Sequence, residues 1–301
     1  MTEANSKDLR TVLLFSLVIL IWGLNYPFVG LGLTYSPPIW LAFFRALFGF
    51  FASVVLLFAM RTKGSLTTRQ KIIALLLGVP GSAVFMGLWF MGETLVPPGL
   101  TSVLIYTFPL WIMFISIPVL GERPRPLKIG AALLGFFGVA LAEQVGFVNV
   151  NLDSVAIIEL AIAGFLFACL NVGFKKFFKG EELLRANVYQ LGGSLLPLVV
   201  WAGLASPFRT IQWNSELLAV LLWLGIVGTA VSFVAWFWLM SRHNASSMGA
   251  YAFMAVVVAL TSSFIIFGET VNLIQVIGVL AIIVSIYLVS RTEGGVTKLK
   301  T

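Results

Sequence analysis

The stretch GVPGSAVFMGLWF, residues 78–90, recurs 147 residues later as GIVGTAVSFVAWF, residues 225–237. The second copy retains two glycines, a small hydroxyl residue and a Trp-Phe pair at the same spacing. The aligned pairs are Gly78 with Gly225, Gly81 with Gly228, Ser82 with Thr229, Trp89 with Trp236 and Phe90 with Phe237. Self-similarity at a fixed period indicates a fold built from copies of one unit.

The repeat extends beyond this stretch. Further matches are Gly121-Glu122 with Gly268-Glu269 and, at a shift of 146, Asn25 with Asn171. Two copies of about 147 residues account for nearly all of the 301 residues. We therefore predict two related units, residues 1–150 and residues 151–301.

The composition is that of a membrane protein. Charged residues make up 10% of the chain, apolar residues 59%, and the mean hydropathy is +1.02, whereas soluble domains carry about 25% charged residues. Apolar runs of about 20 residues recur along the sequence, and each is long enough to cross the hydrocarbon core as a helix. The sequence predicts an all-α integral membrane protein in contact with the lipid bilayer. The ten predicted spans are 12–33, 38–60, 71–92, 98–120, 127–145, 155–175, 186–204, 217–240, 246–267 and 273–290.

Lysine and arginine indicate the orientation, because the cytoplasmic loops of membrane proteins carry an excess of both. With the N-terminus inside, 17 of the 19 basic residues fall in cytoplasmic segments, Arg209 falls outside and Arg45 falls within a span. An error of one span would destroy this sorting. We expect a multi-pass protein of the plasma (inner) membrane with both termini in the cytoplasm.

The number of spans in each unit sets the relation between the units. Five is odd, so the second unit enters the membrane from the opposite side and the two units are inverted. Inverted repeats are common in secondary transporters, with the substrate site near the midplane where the repeats meet. Some channels are also inverted duplications, and we favour a carrier over a channel.

Several of these features together resemble the EamA-type carriers of the drug/metabolite transporter superfamily. The features are Trp22-Gly23-Leu24-Asn25, Arg45, the glycine-rich third and eighth spans, and the Gly-Glu pairs followed by helices with an early Gly130 or Gly278. The resemblance covers essentially the whole chain. It implies two inverted five-helix halves, a cavity formed mainly by spans 1, 3, 4, 6, 8 and 9, and export of small metabolites such as amino acids. The chain departs from the repeat where Ala168 takes the place of Trp22.

Polar residues within spans are costly and often functional. Asn25 and Asn171 are paired by the duplication and lie in mid-helix, where each could contact substrate or join two helices. Ser82 and Thr229, the paired hydroxyl residues, are further candidates for substrate binding.

Aromatic residues could line the substrate site. The candidates are Trp22, Tyr26, Trp89, Tyr106, Trp111, Trp236 and Tyr251. They could surround an apolar or cationic substrate, or they could belong to the interfacial belts of the membrane. The positions of Trp89 and Trp236 near span ends favour the belt, whereas the deeper Trp22, Tyr26, Tyr106 and Tyr251 are candidates for the cavity wall.

Arg45 lies about 10 Å below the outer end of the second span. It could bind a substrate carboxylate, extend outward to the headgroups, or pair with Glu159 at a similar depth in the sixth span. We favour a structural role or the ion pair, as a latch at the outer gate. Glu122 and Glu269 precede helices, and we expect each to interact with the positive end of the following helix dipole.

The sequence lacks residues that several functional classes of protein require. The sequence has no phosphate-binding loop of the ATPase type, a single histidine, His243, and no pair of intramembrane aspartates. Cys169 is the only cysteine, which excludes a disulfide framework and a thiolate metal site. We therefore expect no enzyme activity, no cofactor, no metal and no nucleic-acid partner.

The sequence as a whole favours a secondary carrier that exports a small neutral or zwitterionic metabolite, amino acids first, as a monomer or weak dimer. A gated channel or a lipid-handling protein of the same fold is the alternative. Glu93, Glu143 and Glu159 are the candidates for proton coupling, and all three lie toward the outer ends of spans. Uniport, exchange and proton antiport therefore stay open.

Overall fold

A computed structural model describes residues 3–61, 64–96, 98–143, 153–258, 261 and 272–297. These residues form helices and short connections, with no strand among them. The helices are α1 (Glu3–Leu33), α2 (Pro38–Ala59), α3 (Thr68–Leu95), α4 (Pro98–Ile105 and Phe108–Leu120), α5 (Pro126–Ala142), α6 (Ser154–Phe177), α7 (Glu182–Ala205), α8 (Ser215–Arg242), α9 (Ala245–Val258) and α10 (Leu273–Thr297).

The helices correspond to the ten predicted spans. Eight of them are long and apolar enough to cross a membrane, and α5 and α9 are shorter apolar helices within the described part of the chain. The all-α membrane fold predicted from composition is confirmed. Most of the predicted ninth span beyond Val258, and the predicted boundary between residues 150 and 151, lie outside the described residues.

Helix packing follows the duplication. The duplication pairs α1–α5 with α6–α10 in order. In the first half α3 contacts α6 and α7, and its counterpart α8 contacts the counterparts of those helices, α1 and α2. Three helices also pack directly against their own counterparts: α2 against α7, α4 against α9 and α5 against α10. Each half therefore buries its apolar surface mainly against the other half, and the centre of the molecule is the interface between them.

The repeated stretch adopts the same unusual backbone in both halves. Val79–Val84 in α3 and Trp223–Val231 in α8 are π-helical, a conformation that is rare and frequent at functional sites. Both stretches are packed at very short range. A Cβ atom on Gly78, just before the first π-helical segment, would lie 1.9 Å from the carbonyl oxygen of Gln190 in α7, and a Cβ atom on Gly225 in the second segment would lie 2.4 Å from the Cβ atom of Phe48 in α2. Small residues allow helices in membranes to approach this closely.

The helices α4 and α9 are interrupted at equivalent positions. In α4 the α-helix stops at Ile105 and resumes at Phe108, because Pro109 has no N–H with which to bond the carbonyl of Ile105. In α9 the first α-helical segment ends at Ala252, just before Phe253, which follows Tyr106 by 147 residues. Interrupted helices at the repeat interface form the substrate sites of many transporters.

Candidate substrate-binding site

A small cavity lies between the two halves. It is lined by Trp22, Asn25 and Tyr26 of α1, Arg45 of α2, Phe85 and Trp89 of α3, Ile105, Tyr106 and Phe108 of α4, Phe167 of α6 and Phe233 of α8. Its volume of about 30 Å³ admits only one or two water molecules. The described residues of α9 contribute nothing to this wall, in contrast to the expectation from the resemblance, and α2 contributes Arg45. In this conformation the cavity is therefore too small for a metabolite and must expand to admit one.

Most of the cavity wall is aromatic. Phe85 and Phe167 stack across the two halves with ring centroids 4.6 Å apart, and the rings of Tyr26 and Trp89 lie 5.2 Å apart. Trp22 packs edge-on against Phe167 at 5.8 Å. Such rings offer apolar faces to a flat or apolar side chain and bind cations through their π-electrons.

One corner of the cavity is polar. The carbonyl oxygen of Gly228 in the second π-helix accepts from Asn25 Nδ2 at 3.5 Å, Arg45 Nη2 at 3.4 Å and Ser232 Oγ at 2.9 Å. Arg45 Nε also donates to Thr229 Oγ1 at 3.0 Å. Asn25 Oδ1 and Arg45 Nη1 are buried without a partner. We call Asn25, Arg45 and the Gly228 carbonyl the polar corner.

The ion pair predicted between Arg45 and Glu159 is absent from this conformation. Arg45 is 1% exposed and is directed to α8 and to Trp89, whose ring centroid lies 5.0 Å from the Arg45 Cζ atom. Glu159 Oε2 on α6 is buried and has no partner. The two side chains therefore do not meet in this conformation.

Sequence reasoning missed the role of Trp89 and its carboxylate partner. Trp89 was expected in an interfacial belt, yet it is 5% exposed, lines the cavity and donates its indole N–H to Glu93 Oε2 at 2.7 Å. The spacing of four residues on one helix is the signal that could have indicated this bond. Arg45, Trp89 and Glu93 therefore form a buried row, of which Arg45 and Trp89 line the cavity.

The asparagines paired by the duplication have different environments. Asn171 is fully buried, donates to the carbonyl of Phe167 at 2.7 Å and accepts from the indole of Trp236. It does not line the cavity, whereas Asn25 does. Trp236 was also expected in the interfacial belt, and that expectation is wrong, because its indole is fully buried 4.7 Å from the ring of Trp22.

The remaining candidates lie outside the cavity wall. Ser82 accepts a hydrogen bond from Gln190 of α7, and Thr229 accepts one from Arg45. The ring of Tyr251 packs edge-on against Phe15 at 5.8 Å. Trp111 is 40% exposed, as expected for a residue that faces lipid. Of the predicted binding residues, the structure brings together Trp22, Asn25, Tyr26 and Tyr106.

The two asparagines should respond differently to substitution. We expect Asn171→Ala to lower the unfolding free energy by about 1 to 3 kcal/mol, because the N–H of Trp236 loses its acceptor. Asn25→Ala should leave the melting temperature nearly unchanged and alter substrate affinity instead. Thermal unfolding of the purified variants, together with transport KM, tests this, and equal effects in both assays would contradict the asymmetry.

Comparison with known proteins identifies the family. The model of the EamA-like transporter family matches residues 9–143 and again residues 154–291. The chain belongs to the EamA-like transporter family. It thus belongs to the drug/metabolite transporter superfamily, as the resemblance predicted, and it is a transporter and not an enzyme.

Relatives of this EamA-like transporter have names of several kinds. An uncharacterized transporter of Bacillus subtilis is 27% identical, with 93% of this chain and 92% of that protein covered. A probable amino-acid metabolite efflux pump of Salmonella typhimurium is 24% identical over 90% and 92%, and an S-adenosylmethionine uptake transporter of Rickettsia prowazekii is 26% identical over 76% and 74%. A solved crystal structure matches with a TM-score of 0.75 at 20% identity, covering 93% of this chain and 97% of that one, which supports the fold alone.

The transporter is closed between the cavity and one end of the bundle. Next to the cavity, Trp22 and Trp236 fill the space between α1 and α8. Beyond them, Phe174 and Phe237 stack with ring centroids 3.9 Å apart, both fully buried. These two layers separate the cavity from the helix ends where Glu122 lies.

Glu122 joins three helices at this end. Its carboxylate accepts from Lys175 Nζ of α6 at 3.1 Å and from the backbone N–H of Ala245 and Ser246, which begin α9, at 2.7 and 3.1 Å. The hydroxyl of Ser246 adds a bond of 2.8 Å. The predicted dipole interaction of Glu122 is therefore made with α9 and not with the following helix α5. Glu269, its counterpart, lies outside the described residues. We call Glu122, Lys175 and the start of α9 the Glu122 latch.

The latch should stay closed at physiological pH. Burial by itself raises the pKa of Glu122, but the bonds from Ser246 and Ala245 and the charge of Lys175 outweigh burial and hold the pKa below the ordinary value of 4.5. A depressed pKa stabilises the latched state above pH 4.5, and this contribution is lost as the pH falls through the lower value. The distance between spin labels on exposed Arg125 and Lys176 should be the same at pH 8 and pH 5.5. A longer distance at pH 5.5 would contradict this assignment.

Proposed function

We propose that this chain is a secondary transporter that exports small neutral or zwitterionic metabolites, amino acids first, by alternating access. The observation that carries the proposal is the small cavity between two inverted halves, with an aromatic wall and a polar corner. A cavity at the repeat interface is opened to each side in turn when the halves rock against one another. The aromatic wall suits an apolar side chain, and the polar corner suits the charged end of an amino acid.

Names of relatives support this choice of substrate. The Salmonella relative is named for amino-acid metabolites and the Rickettsia relative for S-adenosylmethionine. Amino acids and S-adenosylmethionine both carry a carboxylate and an ammonium group on one carbon atom. That shared group is the chemistry that the polar corner is suited to bind. The names differ in direction, one being an efflux pump and the other an uptake transporter, and export is our choice between them.

We place the protein in the plasma (inner) membrane with both termini in the cytoplasm, as a monomer or weak dimer in lipid. The basic residues support this orientation, since the Glu122 end of the bundle also carries Lys175 and Arg242. The Glu122 latch then closes the cytoplasmic side. A reporter fused to the C-terminus that is active only in the cytoplasm tests the orientation.

Counterflow in proteoliposomes tests the transport function. Liposomes preloaded with twenty amino acids are diluted into medium with one labelled amino acid at a time, and a carrier should accumulate the labelled one above equilibrium with saturable kinetics. Protein-free liposomes give the background. If no labelled amino acid accumulates from folded protein, the amino-acid proposal fails. Equilibration without accumulation would instead support the gated channel.

A further inference from the structure

Arg45 makes no direct ion pair in this conformation, and the carboxylate of Glu93 acts on its charge only from beyond ion-pair distance. Its side chain is 1% exposed, and among the described residues no carboxylate lies within 4 Å of it. Glu93 is bonded to Trp89, whose ring lies 5.0 Å from the Arg45 Cζ atom. A buried charge without a counter-ion is costly, and proteins normally pair it.

The guanidinium is held firmly but incompletely. Two of its nitrogens donate to neutral oxygens of α8, Thr229 Oγ1 at 3.0 Å and the Gly228 carbonyl at 3.4 Å. Nη1, which carries two N–H groups, is buried without an acceptor. Because Arg45 is part of the cavity wall, a molecule in the enlarged cavity would meet a fixed cation with free donors.

The other half of the protein shows that the fold does not need this charge. The residue 147 positions after Arg45 is Gly192, and the nearby Gln190 makes the equivalent bond to Ser82, as Arg45 does to Thr229. A neutral amide is therefore sufficient to join α7 to the first π-helix. The guanidinium in the first half exceeds what this structural contact requires.

The second unpaired atom of the polar corner complements the first. Asn25 and Arg45 bind the same Gly228 carbonyl, which holds them side by side. Asn25 Oδ1 is a free acceptor and Arg45 Nη1 a free donor. The α-ammonium of an amino acid can donate to this acceptor, and its α-carboxylate can accept from this donor.

We infer that Arg45 anchors the carboxylate of the transported molecule, so that this carrier selects substrates with a carboxylate and rejects the corresponding amides and amines. The inference rests on the proposed transport function and assigns Arg45 to binding in place of the outer latch. The bound carboxylate supplies the direct ion-pair partner that the guanidinium lacks in this structure. Charge-assisted bonds of this kind are about twice as strong as neutral ones.

Thermal unfolding of the detergent-purified protein tests the anchor without transport. The probes are L-phenylalanine, phenylacetate, which lacks the ammonium group, and L-phenylalaninamide, which lacks the carboxylate. We expect both carboxylates to raise the melting temperature at concentrations about 10- to 100-fold below those at which the amide acts. Arg45→Gln should abolish this difference and Arg45→Lys should keep part of it. Gln190→Ala, the matched variant in the other half, should keep all of it.

The outcomes separate the anchor from the transport function. The inference is overturned if the amide stabilises the wild type as well as the carboxylates do, if neither carboxylate stabilises it, or if Arg45→Gln retains the preference. Counterflow is then measured with the acid and the amide as competitors. Arg45-dependent binding of carboxylates without any amino-acid counterflow would leave the anchor in place and reject the proposed function.

Discussion

Removal of the Glu122 carboxylate opens the latched end of this transporter: this is the expected result for Glu122→Ala. The carboxylate accepts from Lys175, Ser246 and Ala245, and its loss leaves the ammonium of Lys175 and the first N–H groups of α9 without their anion. Breaking a half-buried pair of this kind costs about 2 to 4 kcal/mol. The balance between closed and open states at this end should shift by about 30- to 1,000-fold toward open.

Spin labels report this opening directly. Cys169 is first replaced by serine, and labels are attached to cysteines at the exposed positions Arg125 and Lys176 on the two sides of the latch. The distance distribution measured by electron spin resonance should move to longer values in Glu122→Ala. Glu122→Gln should have a smaller effect, because the amide oxygen still accepts from α9.

A carboxylate at the opposite end provides the control. Glu216 at the start of α8 accepts from the hydroxyl of Tyr35, which follows α1, at the end of the bundle opposite Glu122. Glu216→Gln should therefore leave the distance between the labels unchanged. An unchanged distribution in Glu122→Ala would show that the aromatic layers of Trp22 and Phe174 close this end without the latch.

The second large effect is expected at the close contact of α3 with α7. In Gly78→Ala the new methyl group would lie 1.9 Å from the carbonyl oxygen of Gln190. The methyl carbon is fixed directly to the backbone of α3 and the oxygen belongs to the backbone of α7, so neither can turn away. Overpacking a well-packed core costs about 1 to 3 kcal/mol, and more where backbone must move. We expect Gly78→Ala to lower the melting temperature by many degrees or to prevent accumulation of folded protein.

Two further glycines make this prediction sharper. Gly193 lies on the same interface, where a Cβ atom would be 2.3 Å from the Leu75 carbonyl oxygen, so Gly193→Ala should behave like Gly78→Ala. Gly203 lies on the same helix, α7, but faces open space with nothing within 4 Å of a Cβ atom. Gly203→Ala should be neutral or slightly stabilising, since alanine favours the helix. If all three variants melt at the same temperature, the close approach of α3 to α7 is wrong.

The sequence by itself determined the fold class, because its evidence is spread over many residues. Apolar runs of the length of a membrane and the sorting of basic residues both indicate ten helices, and the repeat of 147 residues divides them into two units of five. Because five is odd, the second unit is inverted. These arguments need only the bilayer as solvent and the order of residues along the chain. Four of the predicted binding residues, among them Asn25 and Tyr26, were found at the cavity for the same reason, since polar and aromatic residues deep in a span tend to face the protein interior.

Only the tertiary structure decided the partners of these residues. The duplication suggested that Asn25 and Asn171 are equivalent. However, Trp236 donates a hydrogen bond to Asn171, whereas its counterpart Trp89 donates to Glu93. Depth along a helix suggested an Arg45–Glu159 pair, but depth does not give the rotation of a helix about its axis, which directs Arg45 to α8. Hydrogen bonds depend on a few tenths of an ångström and on direction, and these are set by how helices distant in sequence pack together, which a linear pattern does not contain.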